Sequence, residues 1–586
     1  MKFLRTLLGA FVGTFLALGL CLIILFGMIG SMISSGDEAI KVEPGTILKI
    51  DLGDQIGEQT VEENFDLNSI LPSFLSANSE PSTIGVLRAV EAIDAAAEDP
   101  DIKFIYITNC QNSSGLSYFE EIRDALKRFR KSGKSVIAYG ENFSRGGYYL
   151  ASVADKIYAD PFGSSDIIGM STNIMYLKDI LDIAGVEMQL IRHGKYKSAG
   201  EAYIANDISK ANYEQNFAML TSLWNTIQTD ICESRGIPTE KFDALVRDLK
   251  LLSTENLKEY GLVDELATGH QMNEKLVALC GVEKEKDLKF ISLGKYAKAI
   301  HKPNYKADNK IAIIYADGQI NYDGDGITAE EFVPIISKIR KDDDVKAVIL
   351  RVNSPGGAVQ PAEQIRQELE LLREEKPLYV SYGTMAASGG YWISAQSEKI
   401  FSNKTTLTGS IGVFSLIPCA EKGFKKNLHV NPVTVKTHPH SDMASIYRAL
   451  DDTEKDAFQS QVEDIYDKFI NVVSSGRGIT PERVDEIAQG RVWSGAEAIE
   501  INLVNEIGGL KDVLEYAASA NDLDEYRVME YPQKKNSTEK LLSSISNSGS
   551  VLNTISDPEA MVEKFINLVK EEKGIYARIP YFYFFE

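Results

Sequence analysis

The chain has 586 residues, more than one compact domain holds at about 100–200 residues per domain, so three or four units or two large ones are expected. With 44% hydrophobic and 25% charged residues, 44 Gly and 18 Pro, it is neither a disordered, a collagen-like nor a polytopic membrane chain. A net charge of −22 repels phosphate backbones, so no nucleic-acid partner is expected.

The first element is an apolar run. Lys2 and Arg5 precede an uncharged stretch over residues 6–36, whose apolar heart spans residues 7–33. A secretory signal has an apolar stretch of only ~7–15 residues, whereas a membrane helix needs about 20. The run predicts a retained anchor rather than a cleaved signal. Its basic end stays cytoplasmic and the rest of the chain is exported. The bulky Leu20 before Cys21 argues against lipoprotein processing. The cysteines (Cys21, Cys110, Cys232, Cys280 and Cys419) are few and scattered, with no CxxC, so neither a zinc ribbon nor a disulfide scaffold is indicated.

After the anchor the chain repeats itself. Residues 101–107 resemble residues 344–350 at an offset of 243. At the same offset Gly146, Gly147 and Tyr148 match Gly389, Gly390 and Tyr391, and Lys156 and Ile157 match Lys399 and Ile400. Residues 260–265 echo residues 501–506 at an offset of 241. The expected organisation is a cytoplasmic stub and anchor over 1–36, a first repeat over 37–305, a second over 306–530, and a polar linker with an aromatic tail over 531–586. In the second repeat, residues 347–352 and 378–382 read as strands. Residues 362–375, with Ile365, Leu369 and Leu372 on one face, read as an amphipathic helix. Strands alternating with helices predict a parallel sheet with crossover helices, an α/β fold. The tail over 579–586 reads as a strand or packing segment, ahead of a membrane-surface or groove-docking role.

Acyl transfer needs a nucleophile, a base and backbone donors for an oxyanion. The run Arg351, Val352, Asn353, Ser354, Pro355, Gly356, Gly357 follows a strand, and its glycines allow a sharp turn with open amides. In the run from Met385 to Tyr391, Ser388 sits at a strand-to-helix turn between small neighbours, with the amide of Gly389 next to it. The base is less evident. None of His193, His270, His301, His429, His438 and His440 lies in a familiar triad context. A lysine serves only if burial lowers its pKa from ~10.4 towards neutrality. Other signals read as structure. Residues 321–326 suggest a calcium loop, but position twelve is Phe332 rather than Glu, so a plain turn is expected. His438 and His440 lack an evident third ligand and read as loop. No phosphate-loop spacing occurs.

Taken together, these runs resemble the signal peptide peptidase A family in its long, two-repeat form. The resemblance is carried by residues 353–357, 386–391, 407–412 and 194–199, with the anchor and the duplication in support, and it covers the chain from the anchor to about residue 520. It implies two tandem crotonase (Clp protease)-like repeats and a serine endopeptidase that degrades cleaved signal peptides and other apolar peptides. It further implies Ser388 as nucleophile, Lys197 as general base, Ser410 as the residue orienting the lysine, and the amides of Gly357 and Gly389 as oxyanion donors. No cofactor and no metal are implied. The implied partners are peptide substrates, the membrane and copies of the chain in a homotetramer. The implied location is the bacterial inner membrane, with the body on the periplasmic side. Shifted by the repeat offset, Ser388 falls on Arg145, Gly357 on Ser114, Ser410 on Ile167, and Lys197 on His440. Neither half then carries a full dyad, and one site must be built from both, within a chain or between chains. The rival readings are a crotonase-like acyl-CoA enzyme and a non-catalytic membrane scaffold.

Overall fold

The two repeats fold as two mainly parallel sheets built on one plan. The computed structural model describes residues 40–61, 83–111, 115–302, 304–533 and 575–578. In the first unit the strand order is Glu265–Leu266, Lys156–Ala159, Val136–Gly140, Ile102–Thr108, Thr46–Asp51, Phe290–Ser292, all parallel. In the second it is Val492–Ser494, Leu407–Gly409, Leu378–Ala387, Val345–Ser354, Lys310–Asp317, Arg527–Tyr531, with Lys399–Ser402 also on Leu378–Ala387. Here every pair but the first is parallel. The 243 offset carries Ile102–Thr108 into Val345–Ser354, Lys156–Ala159 onto Lys399–Ser402, and helix Arg145–Ala151 onto the region of helix Gly389–Ser394. These β-branched runs are buried on both faces, as a parallel sheet under helices requires.

The expected helix spans Val359–Glu375, and Ile365, Leu369 and Leu372 are its buried stripe. It stops because Pro377 disfavours helical backbone at Lys376. The Arg527–Tyr531 strand adds to Lys310–Asp317, so the second sheet runs one residue past the join expected at 530.

A third sheet ties the units together. Its order is Ile327–Thr328, Ile320–Asn321, Gly356–Ala358, Ile575–Arg578, Val413–Cys419, Glu187–His193. Glu187–His193 belongs to the first unit and pairs antiparallel with Val413–Cys419 of the second over seven residues. Helix Lys210–Arg235 of the first unit also crosses over. It is capped by Ser209 and stopped at Gly236 in left-handed conformation. Its Met219 and Leu223 pack on Ala387, Leu407 and Val492. The anchor expected over 1–36 and the aromatic tail over 579–586 lie outside the described residues. Among the described residues no helix is long and apolar enough to cross a membrane.

Candidate active site

Ser388 follows directly on the Leu378–Ala387 strand and caps the helix Gly389–Ser394. Its backbone has φ 56° and ψ −113°, a region that non-glycine residues rarely enter and that costs of order 1–3 kcal/mol. Two hydrogen bonds hold it there: its N–H donates to Gly409 O at 2.8 Å, and its carbonyl accepts from Trp392 N–H at 2.8 Å. Glycine at 390 is required, because a β-carbon there would stand 2.9 Å from Ser354 O.

Lys197 comes from the other unit. The Glu187–His193 strand delivers the chain to Gly194, whose φ of 100° turns it beneath the second unit. Tyr196 N–H donates to Gln489 O at 2.9 Å, and Arg192 Nη1 donates to Lys197 O at 2.9 Å. The Lys197 side chain is fully buried. Its Nζ lies 2.8 Å from Ser388 Oγ, 2.9 Å from Ser410 O and 3.0 Å from Ser410 Oγ. Burial holds the amine well below its ordinary pKa, with the nearby Arg578 guanidinium adding to the effect. Ser410 is also left-handed, at φ 49°, and is fixed by its N–H donating to Arg491 O at 2.7 Å.

The glycines complete the arrangement. Gly356 has φ 92°, which suits glycine alone. A β-carbon on Gly389 would stand 3.1 Å from Gly357 N, so the two glycines lie close together next to Ser388. The structure thus gathers Ser388, Lys197, Ser410, Gly357 and Gly389 within a single chain. A buried amine held below its ordinary pKa against a hydroxyl, with two glycine amides nearby, has the groups that acyl transfer requires.

The model of peptidase family S49 matches residues 128–283 and 370–524. The first match contains Lys197 and the second Ser388. Protease 4 of Haemophilus influenzae is 36% identical over 463 residues, covering 76% of this chain and 74% of that one. A putative signal peptide peptidase SppA of Enterococcus faecium is 37% identical over 216 residues, 37% of this chain and 62% of that one. The solved structure of ClpP1 from Listeria monocytogenes aligns with 34% of this chain and 94% of that one, at 16% identity and a TM-score of 0.24. The chain belongs to peptidase family S49.

It is a serine peptidase. Other residues shape this S49 site, and of these Glu58 and Glu121 were not singled out from sequence. Gly490, with φ 79°, lies against the lysine, and a β-carbon there would stand 2.5 Å from Lys197 N and 2.6 Å from its Cβ. Deeper in, Arg351 is fully buried and donates through Nε to Glu58 at 2.6 Å and through Nη2 to Glu121 at 2.9 Å. Both carboxylates come from the first unit. No local pattern marks them, because their burial arises only when the units pack. His440 meets Asp451 and Glu454, but Arg448 already donates to both oxygens of Glu454, and His438 is outside the cluster. Among residues 321–326, Asn321 Nδ2 donates to Asp325 O at 2.6 Å, the expected plain turn.

Proposed function

We propose that this chain is a membrane-anchored Ser/Lys-dyad endopeptidase that degrades cleaved signal peptides and other apolar peptides at the extracytoplasmic face of a bacterial inner membrane. The observation that carries the dyad is the 2.8 Å approach of buried Lys197 Nζ to Ser388 Oγ, with Ser410 supplying the two remaining contacts. A neutral amine has two N–H bonds and one lone pair. The N–H bonds donate to Ser410 O and Oγ, and the lone pair faces the Ser388 hydroxyl. Lys197 takes the Ser388 proton, Ser388 Oγ attacks the peptide carbonyl, and the amides of Gly357 and Gly389 hold the oxyanion. The protonated lysine returns its proton to the leaving amine, and water, activated by the same lysine, releases the acyl group. The E. faecium relative named a signal peptide peptidase supports the substrate class. The anchor rests on the uncharged run over residues 6–36.

We further propose a homotetramer. Support comes from apolar side chains left in water: Met175, Ile180, Ile183, Tyr213, Phe217 and Val435 are all more than half exposed. Light scattering on the detergent-solubilised chain is expected to give four copies per particle.

Purified protein with a fluorogenic apolar peptide tests the dyad. Ser388→Ala is expected to reduce hydrolysis to background, and retained activity sinks the nucleophile assignment. Because both residues are supplied by one chain, mixing Ser388→Ala and Lys197→Ala chains is expected to restore nothing. Gly490→Ala pushes into Lys197 backbone and should lower kcat about 100-fold, since misplacement near 1 Å costs that much. An unchanged kcat would show that the lysine loop tolerates the shift.

A further inference from the structure

Helix Lys210–Arg235 buries one stripe, and that stripe changes character along its length. Met219, Leu223, Ile227 and Ile231 are apolar, as a core-facing helix requires. The same face begins with Asn212, Gln215 and Asn216, which are only 1%, 2% and 4% exposed. Burying three amides costs free energy unless each finds partners. Their partners lie on and around the loop that carries Lys197. Residues 197–200 of that loop are buried yet belong to no helix or strand, so side chains must satisfy the polar groups there.

Gln215 Nε2 donates to Tyr196 O at 2.9 Å and to Ser198 Oγ at 3.0 Å, so it grips the residues on either side of Lys197. Ser198 Oγ donates in turn to Asn212 Oδ1 at 2.9 Å, and Asn212 Nδ2 donates to Glu201 Oε1 at 3.3 Å. Glu201 also accepts from Ser209 N–H at 2.7 Å and from Ser209 Oγ at 2.8 Å, which ties the helix cap to the same network. The other end of the Gln215 amide faces the second unit: its Oε1 accepts from Val492 N–H at 3.4 Å. Val492 lies opposite Gly409 in the sheet, and the carbonyl just before it, of Arg491, holds the Ser410 N–H at 2.7 Å. One side chain therefore spans from the backbone around Lys197 to the strand that fixes Ser410. The charged groups facing the loop are Arg192 and Glu201, 3.9 Å apart, Lys195 and Arg491 over the Tyr196 ring at 4.7 and 5.5 Å, and Arg578 towards the amine itself.

We infer that Gln215 is the positioning residue of the general base, holding Lys197 against Ser410 and keeping its pocket dry. This rests on the dyad reading above and deepens it. Gln215 acts through Tyr196, Ser198 and Val492 rather than on the reacting atoms. Each end of its amide meets the partner that its polarity requires, so neither a carboxylate nor an alkyl group of the same shape replaces it. Without the amide the loop loses this tie to the second unit, Lys197 moves away from Ser410, and water reaches the amine. Hydration relieves the burial that depresses the amine, and its pKa climbs back towards that of a free lysine. A neutral replacement leaves every charged group around the loop in place, so the change reports hydration and position alone.

The pH–rate profile of the full chain, purified in detergent and assayed on a fluorogenic apolar peptide, tests this beside thermal melts. Gln215→Leu is expected to lower kcat about 10- to 100-fold, as misplacement of up to 1 Å does, and to leave KM within about twofold. The midpoint of its profile is expected to move up by about one pH unit, a fraction of the shift that full burial produces. Gln215→Glu keeps the shape, loses the two N–H donors and brings an anion, so its midpoint should move up at least as far. Ile227→Ala is the control: it opens the first unit's core from the same helix and should lower Tm without moving the midpoint. A Gln215→Leu chain with the wild-type kcat overturns the inference and leaves the dyad standing. So does a lowered kcat with an unmoved midpoint, the pattern of Ile227→Ala, which would make Gln215 a part of the fold only. Wild-type hydrolysis by Ser388→Ala would overturn the dyad reading and this inference with it.

Discussion

Replacing Lys197 by methionine is expected to lower kcat/KM for peptide hydrolysis by at least about 1,000-fold and, at neutral pH, to raise Tm. The first effect is the loss of the base, worth about 10²–10⁴-fold, together with the geometry it imposes on Ser388. The second follows from linkage. Burial depresses the folded-state pKa of Lys197 well below that of the free amine. Between that lowered value and the unfolded value near 10.5 the unfolded chain holds a proton that the folded chain does not. In that window stability rises with pH, and at neutral pH the folded protein bears the cost of keeping the amine neutral. Methionine fills similar space and never charges, so the variant loses that cost along with its activity. The wild-type rate should rise with pH through the same lowered pKa and then level off. Thermal melts and a pH–rate profile check both halves. A Lys197→Met chain that is less stable than the wild type at pH 7 would contradict the buried neutral amine. A rate still climbing at pH 10.5 would contradict it equally.

The legibility of this chain divides along local and long-range lines. The repeat offset aligns Ile102–Thr108 with Val345–Ser354, Lys156–Ala159 with Lys399–Ser402 and helix Arg145–Ala151 with Gly389–Ser394, because each is a buried apolar run whose pattern is local. Ser388 was visible as a strand-to-helix turn flanked by small residues, although its left-handed backbone was not. Lys197 entered by resemblance alone. On local grounds a lysine in a Gly-Lys-Tyr-Lys loop is solvated. What buries it is remote: the pairing of Glu187–His193 with Val413–Cys419, and the cleft opened by Gly412 and Gly490. Ile575–Arg578 was read as part of a linker and tail, because four residues carry no period and the strand exists only where two edges meet it. Glu58 and Glu121 carry the same lesson: a buried carboxylate is invisible until its cation arrives from the other unit.

That cation gives the second large expectation. Arg351→Met should cost about 3–5 kcal/mol, the usual penalty for removing one partner of a buried ion pair. For a chain of this size unfolding as one unit, the drop in Tm is roughly 3–5 °C. Arg351 stands near the end of the Val345–Ser354 strand, donates also to Ser381 Oγ at 2.8 Å and Tyr382 O at 3.0 Å, and is held by two carboxylates of the first unit. Without it Glu58 and Glu121 share a dry interface as uncompensated anions. Burial already pushes the Glu58 carboxyl upwards, and Arg351 is what pulls it back. In the variant the folded-state pKa of Glu58 rises further, so the folded chain binds more protons than the unfolded one. Stability should then increase as pH falls, with the deficit largest above neutrality. Adding Glu58→Gln and Glu121→Gln should recover most of the lost Tm, since the amide at position 58 can still accept from Tyr118 and the single amide oxygen at position 121 can still accept from the Leu510 amide. Melts of the single and triple variants across pH decide the point. A single variant as stable as wild type, or a triple variant no better than the single, would show that charge is not what the interface requires there. Because the Arg351 strand leads straight into Gly356 and Gly357, the single variant should also lose peptidase activity well below its melting temperature, and the triple variant should regain part of it.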